Sequence, residues 1–106
     1  MFLKDENKIN ILGEYGGVGN EVENHVWNDK CWAYIKKRNG EEVTSDYVKY
    51  GNMLIDLIND GFSAAIYTQT TDCEVEINGL MTYDRKVLKV DEEKIKEINK
   101  KIIDKI

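Results

Sequence analysis

Proline is absent from the 106 residues, where average usage predicts about five. Turns must therefore come from the eight glycines and from Asn and Asp. Only two cysteines occur, Cys31 and Cys73, too few for a disulfide scaffold and without the paired spacing of zinc ligands. There is one histidine, His25, so no site built on several imidazoles is possible within this chain. No apolar run approaches the roughly 20 residues of a membrane span. Basic charge is in the minority: 15 Lys and Arg face 20 Asp and Glu, a net charge of -5. That balance argues against a nucleic-acid backbone as partner, because phosphate binding needs a basic face. The opening residues, Met1 to Glu6, turn acidic too early for a secretion signal. The cytoplasm is the default compartment, and the location of any longer parent protein stays open.

What is present reads as one ordered unit. A chain of this length buries roughly 65% of its extended surface, enough for one core. Apolar runs recur despite the charge, so wholesale disorder is not expected. Residues 1–8 form a polar N-terminal segment. Ile9, Ile11 and Leu12 make a short β-favouring run that stops at Gly13. The glycine-rich stretch from Gly13 to Gly19 should be a loop. Residues 20–42 lack any clean period and hold three large aromatics, Trp27, Trp32 and Tyr34, which suits a long ordered loop. Thr44 or Ser45 should cap a helix with Tyr47, Tyr50, Leu54, Leu57 and Ile58 on one face. Gly61 should stop that helix, and Gly51 inside it should mark close packing. Residues 63–69 read as a second strand. An acidic loop with Asp72, Glu74 and Glu76 follows, then a short extended stretch at 80–83. Asp91 should cap a last helix with Ile95, Ile98, Ile102 and Ile106 on one stripe. The fold class is α/β, in two consecutive βα units. Two parallel strands alone cannot bury both sheet faces, so the pattern implies further strands from more chain or more copies.

Several residues suit chemistry. Glu14 leaves the first strand flanked by glycines, at the rim where α/β enzymes gather their catalytic groups; its other reading is a solvated loop acid. His25 suits a general base, a sugar ligand or a packed loop residue. Trp27, Trp32 and Tyr34 suit stacking on the C–H faces of sugar rings, or equally covering the edge of the core. Asp72, Glu74 and Glu76 have the oxygens for calcium, but a solvated acidic loop is the plainer reading. Gly17-Val18-Gly19 is only part of a dinucleotide fingerprint, because Val22 stands where the third glycine belongs.

Ile11-Leu12-Gly13-Glu14-Tyr15-Gly16-Gly17 resembles the nucleophile segment of glycoside hydrolase family 2, the beta-galactosidase and beta-glucuronidase family. Further downstream the chain is similar to the C-terminal end of a subgroup of bacterial members. The matching stretches are His25-Val26-Trp27, the run from Ala64 to Asp72, the run from Glu74 to Leu80, and Thr82-Tyr83-Asp84-Arg85. The likeness covers about residues 9–90. It implies that residues 9–106 are the C-terminal fragment of a (β/α)8 barrel, with residues 9–15 as its seventh strand and 63–69 as its eighth. It implies a retaining glycosidase acting on O-glycosidic bonds, with Glu14 as the nucleophile that forms a covalent glycosyl-enzyme. Tyr15, His25, Trp27, Trp32, Tyr67 and Gln69 would then be substrate-binding residues, with no cofactor or metal. The departure is large. The family's acid/base glutamate lies in an Asn-Glu pair on strand four, and Asn20-Glu21 is in the wrong place for it. Losing the acid/base alone removes roughly 10²–10⁴-fold of rate. The isolated chain is expected to be inactive, with a carbohydrate substrate belonging to the parent enzyme and with self-association or the missing barrel portion as partner. The alternative is a non-catalytic carbohydrate-binding or self-assembling α/β module.

Overall fold

A computed structural model describes residues 5–106. The first four residues of the expected N-terminal segment lie outside the described residues. Residues 5–8 form a turn closed by Asn10, whose side chain exchanges hydrogen bonds with the Asp5 backbone.

The chain runs through β1 (Asn10–Gly16), β2 (Val18–Gly19), β3 (Ile35–Lys36), α1 (Gly40–Asn59), β4 (Phe62–Thr68) and α2 (Glu92–Asp104). β1 and β4 pair in parallel, joined by the α1 crossover, and β2 and β3 form a second, minimal parallel pair. The domain is a small mixed α/β unit with two helices and parallel strands. No helix among the described residues is long and apolar enough to cross a membrane.

β1 does not end at Gly13. It continues through Glu14 to Gly16, with a register irregularity between Leu12 and Tyr15 that absorbs the awkward residues. The break comes where the backbone requires it: Gly16 and Gly17 have φ of +100° and +74°, and the chain turns sharply into β2.

α1 begins at Gly40, four residues before Thr44. Asn39 is the cap, its side chain accepting from the Glu42 N–H at 3.0 Å, and Glu42 reaches back to the Arg38 N–H at 2.9 Å. Glu41 and Glu42 also set negative charge in the first turn, which the helix dipole favours. Thr44 is buried inside the helix instead. Its hydroxyl donates to the Gly40 carbonyl and accepts from the Asp91 N–H, tying the start of α2 to α1. The other helix signals agree with the structure. Gly61 follows the last turn at φ +98°, and Asp91 caps α2 through the Glu93 and Lys94 N–H groups. A Cβ on Gly51 would clash with the Ile98 side chain, so glycine is what lets α2 approach α1. The isoleucine stripe holds to Ile102, but Ile106 lies beyond the helix and is 91% exposed.

The most deeply buried residues include Val18 in β2 and, in the loop after β4, Ile77, Asn78 and Thr82, all shielded completely or nearly so. The loop after β1 (residues 17–39) and the loop after β4 (residues 69–91) pack on each other. Trp32 bridges to the second loop through its backbone, Trp32 N donating to Val75 O and Ile77 N donating to Trp32 O, both at 2.7 Å. Gly17 N also donates to Thr68 O, joining the ends of the two long strands.

Candidate functional site at the carboxyl ends of the parallel strands

Both long strands of the βαβ unit deliver their carboxyl ends to the same rim, and both long loops leave from there. Glu14 stands near that end of β1, exposed, with no hydrogen-bond or ion-pair partner among the described residues. Tyr15 and Tyr67 face the other way. Tyr15 packs edge-on against Tyr50 and Tyr67, and Tyr67 against Tyr47, forming an aromatic layer between sheet and α1. Burial pushes the Tyr15 phenol up to about 12 and the Tyr67 phenol higher still. The Tyr67 hydroxyl is buried without a hydrogen-bond partner among the described residues. Gln69 continues from β4, and its amide donates to the Asn78 side chain at 2.6 Å, which shapes the second loop.

The two loops are clamped by a buried ion pair. Lys89 Nζ donates to Asp72 Oδ1 at 2.8 Å, to the Asn20 carbonyl at 2.9 Å and to the Ile77 carbonyl at 3.0 Å. The Lys89 side chain is 0% exposed. Burial pushes the Asp72 carboxyl up and the Lys89 ammonium down from their ordinary values, and their mutual attraction opposes both shifts. Asp72 also accepts from the Gly79 N–H at 2.9 Å. The acidic loop is therefore solvated only in part: Asp72 is buried and committed to an ammonium, Glu76 accepts from Asn78 Nδ2, and Glu74 is exposed. Among the described residues, no group of three or more His, Cys, Asp or Glu could hold a metal ion. The partial dinucleotide fingerprint is filled by protein. A Cβ on Gly19 would meet the Ile77 backbone and one on Gly17 the Tyr34 ring, so both glycines pack against the protein's own loops. Glu21, of the misplaced Asn-Glu pair, is exposed and ion-paired with Lys36.

His25, Trp27 and Trp32 come from the first loop. His25 Nδ1 lies 2.7 Å from Asp84 Oδ2 in the second loop. Asp84 is itself held by the Thr82 hydroxyl at 2.6 Å and the Lys86 N–H at 3.1 Å. These donors, the Thr82 hydroxyl first, keep the Asp84 carboxyl well below the usual carboxylate range. Trp27 meets Tyr83 edge-on at 5.5 Å, and Trp32 meets Tyr34 edge-on at 5.3 Å. All four rings remain largely open to solvent, Trp27 at 54%. Sequence reading missed Tyr83, Asp84 and Lys89 as site residues. Thr82-x-Asp84 is the one local signal, a short turn in which a carboxylate is fixed by its own neighbours.

No protein-family model and no curated protein matches the chain.

Proposed function

We propose that this chain is the C-terminal part of the catalytic barrel of a retaining glycoside hydrolase, with β1 and β4 as its seventh and eighth strands. Glu14 is the nucleophile. The observation that carries the reading is that the glutamate of the Gly-Glu-Tyr-Gly-Gly segment stands exposed near the carboxyl end of a strand, with β4 parallel beside it. The carboxylate attacks the anomeric carbon and the leaving oxygen departs, giving a glycosyl ester on Glu14 that water then hydrolyses. The acid that protonates the leaving oxygen must come from a carboxyl group about 5–5.5 Å away, on a strand outside this sequence. The partner is therefore the rest of the barrel. It would cover the exposed Ile11 and Ile66 and pair the free edges of β1 and β4. Tyr15 and Tyr67 then support the strand ends from the helix side, while His25, Trp27 and Trp32 belong to the sugar-facing loops.

The test uses the chain assembled with the polypeptide that carries the remaining strands. An aryl β-glycoside should be hydrolysed, and Glu14→Gln should lower kcat by roughly 10³-fold or more. A 2-deoxy-2-fluoroglycosyl fluoride should leave its mass on the peptide containing Glu14. The chain alone should give no turnover. Turnover by the assembly that ignores Glu14→Gln would overturn the role of Glu14. Turnover by the chain alone that vanishes in Glu14→Gln would overturn the need for a partner.

The observation favouring a binding module instead is the pair of exposed ring clusters, Trp27 with Tyr83 and Trp32 with Tyr34. Sugar binding by an assembly that never acquires the mass label on Glu14 would favour that reading.

A further inference from the structure

We infer that the two rim loops, residues 17–39 and 69–91, form one cooperative unit that opens and closes as a body, latched by Lys89, while β1, β4 and both helices stay folded. The inference does not rest on the glycosidase reading.

The two parts of the molecule are held by different forces. Of the six buried polar residues among those described, five lie in these loops: Asn20, Asp72, Asn78, Thr82 and Lys89. The sixth, Thr44, lies in α1 and accepts from the Asp91 N–H at the end of the second loop. The buried apolar residues are divided the other way. The loops hold Val18 and Ile77, whereas the helices and β4 hold Val43, Leu54, Phe62 and Ile98. Apolar burial is the main source of net stability, and a satisfied buried polar group returns little beyond its own desolvation cost. The loops therefore open at a lower free energy than the helices and the long strands.

Neither loop can leave alone. The Lys89 ammonium directs its three donors to Asp72 and Ile77 O of its own loop and to Asn20 O of the other. Trp32 N and O are both bonded across to the second loop. Moving either loop away strands groups on both. The Asn20 carbonyl loses its donor, Lys89 keeps an unpaired proton, and the Ile77 N–H and Trp32 O lose each other. A buried polar network that is half made is costly, so partly open states are sparse. Gly19 adds a steric reason. A Cβ there would run into the Ile77 backbone, so the loops fit main chain to main chain. Gly17 N to Thr68 O, and Asp91 N to Thr44 Oγ1, mark where the unit joins the rest. A partner that orders either loop then orders the other, because both share one opening equilibrium.

Native-state hydrogen exchange on the wild-type chain is the test. The first-loop probes are the amides of Trp32, Ile35 and Lys37; the second-loop probes are those of Asp72, Ile77 and Lys89. Each is hydrogen-bonded within the unit. All six should report one opening equilibrium and rise together in low urea, with amides inside α1 protected about tenfold more or better. Lys89→Met should speed all six by one common factor, roughly 10²–10³. Gly19→Ala, made in the first loop, should speed the amides of residues 72 and 89 as much as that of Trp32. Separate values for the two loops in the wild-type chain, or one value shared with α1, would overturn the unit. So would a Lys89→Met effect confined to the second loop, a Gly19→Ala effect confined to the first, or loss of α1 protection in Lys89→Met.

Discussion

The buried contact between Asp72 and Lys89 is costly to break from one side. Lys89→Met leaves the Asp72 carboxylate buried beside the Gly79 N–H and without its cation, which should cost about 3–5 kcal/mol in urea unfolding. Asp72→Asn combined with Lys89→Met removes both charges and keeps an acceptor for Gly79, so most of that loss should be recovered. A second titration tests Asp84. Its folded pKa is depressed, so its contribution to stability is present above the unfolded value and is lost as pH falls through the folded one. The near-UV signal of Trp27 should therefore persist through about pH 4, the range where ordinary Asp titrates, and change only at lower pH. In Asp84→Asn that acid step should disappear. Tyr15 and Tyr67 answer from the alkaline side. Both phenols are held protonated by burial, so folding loses stability as pH rises above about 10. Phenolate absorbance from Tyr15 should appear only near pH 12. At this scale the sequence was legible where the signal is local. The place of Glu14 near the end of β1 followed from its glycine neighbours. The His25 partner did not, because Asp84 lies 59 residues away. Lys89 looked like any surface lysine, and only the fold buries it.

At the scale of elements, the helix periods and most of the caps were readable, because they depend on residues three or four apart. The start of α1 was misplaced because Thr44 and Ser45 are good caps by type, and nothing local says that Thr44 is needed inside to receive the Asp91 N–H. The run of β1 through Glu14 was hidden for a related reason. Glycine disfavours strands in isolation, but pairing with β4 overrides it. Gly51 was read correctly as a point of close packing, and it carries a prediction. Gly51→Ala gains about 1 kcal/mol of helix propensity, yet its methyl group must displace the buried Ile98 side chain. Overpacking costs typically 1–3 kcal/mol, so the net result should be a lower thermal midpoint. A midpoint equal to or above wild type would mean that α2 sits farther from α1 in solution.

For the whole molecule, a two-stranded parallel sheet leaves two open edges. One apolar face carries Ile11 and Ile66, each 57% exposed. A groove of about 530 Å³ between sheet and helices, lined by Leu57, Phe62 and Ile102, adds further unfilled apolar surface. The alternation of strand and helix predicts such exposed apolar surface, because parallel sheets need cover on both faces. The isolated chain should therefore sediment as a concentration-dependent mixture, and Ile11→Lys with Ile66→Lys should shift it towards monomer. A wild-type chain that stays monomeric at high concentration would count against the open-sheet account.

The Lys89 clamp also sets an order of events during synthesis. Its ammonium holds the carbonyl of Asn20, a residue 69 positions earlier in the chain. The first loop therefore cannot settle when it leaves the ribosome; it must wait until Lys89 has emerged as well. A nascent chain stalled before that point would carry its helical crossover but keep both rim loops unformed and open to protease, and emergence of Lys89 would then close them together.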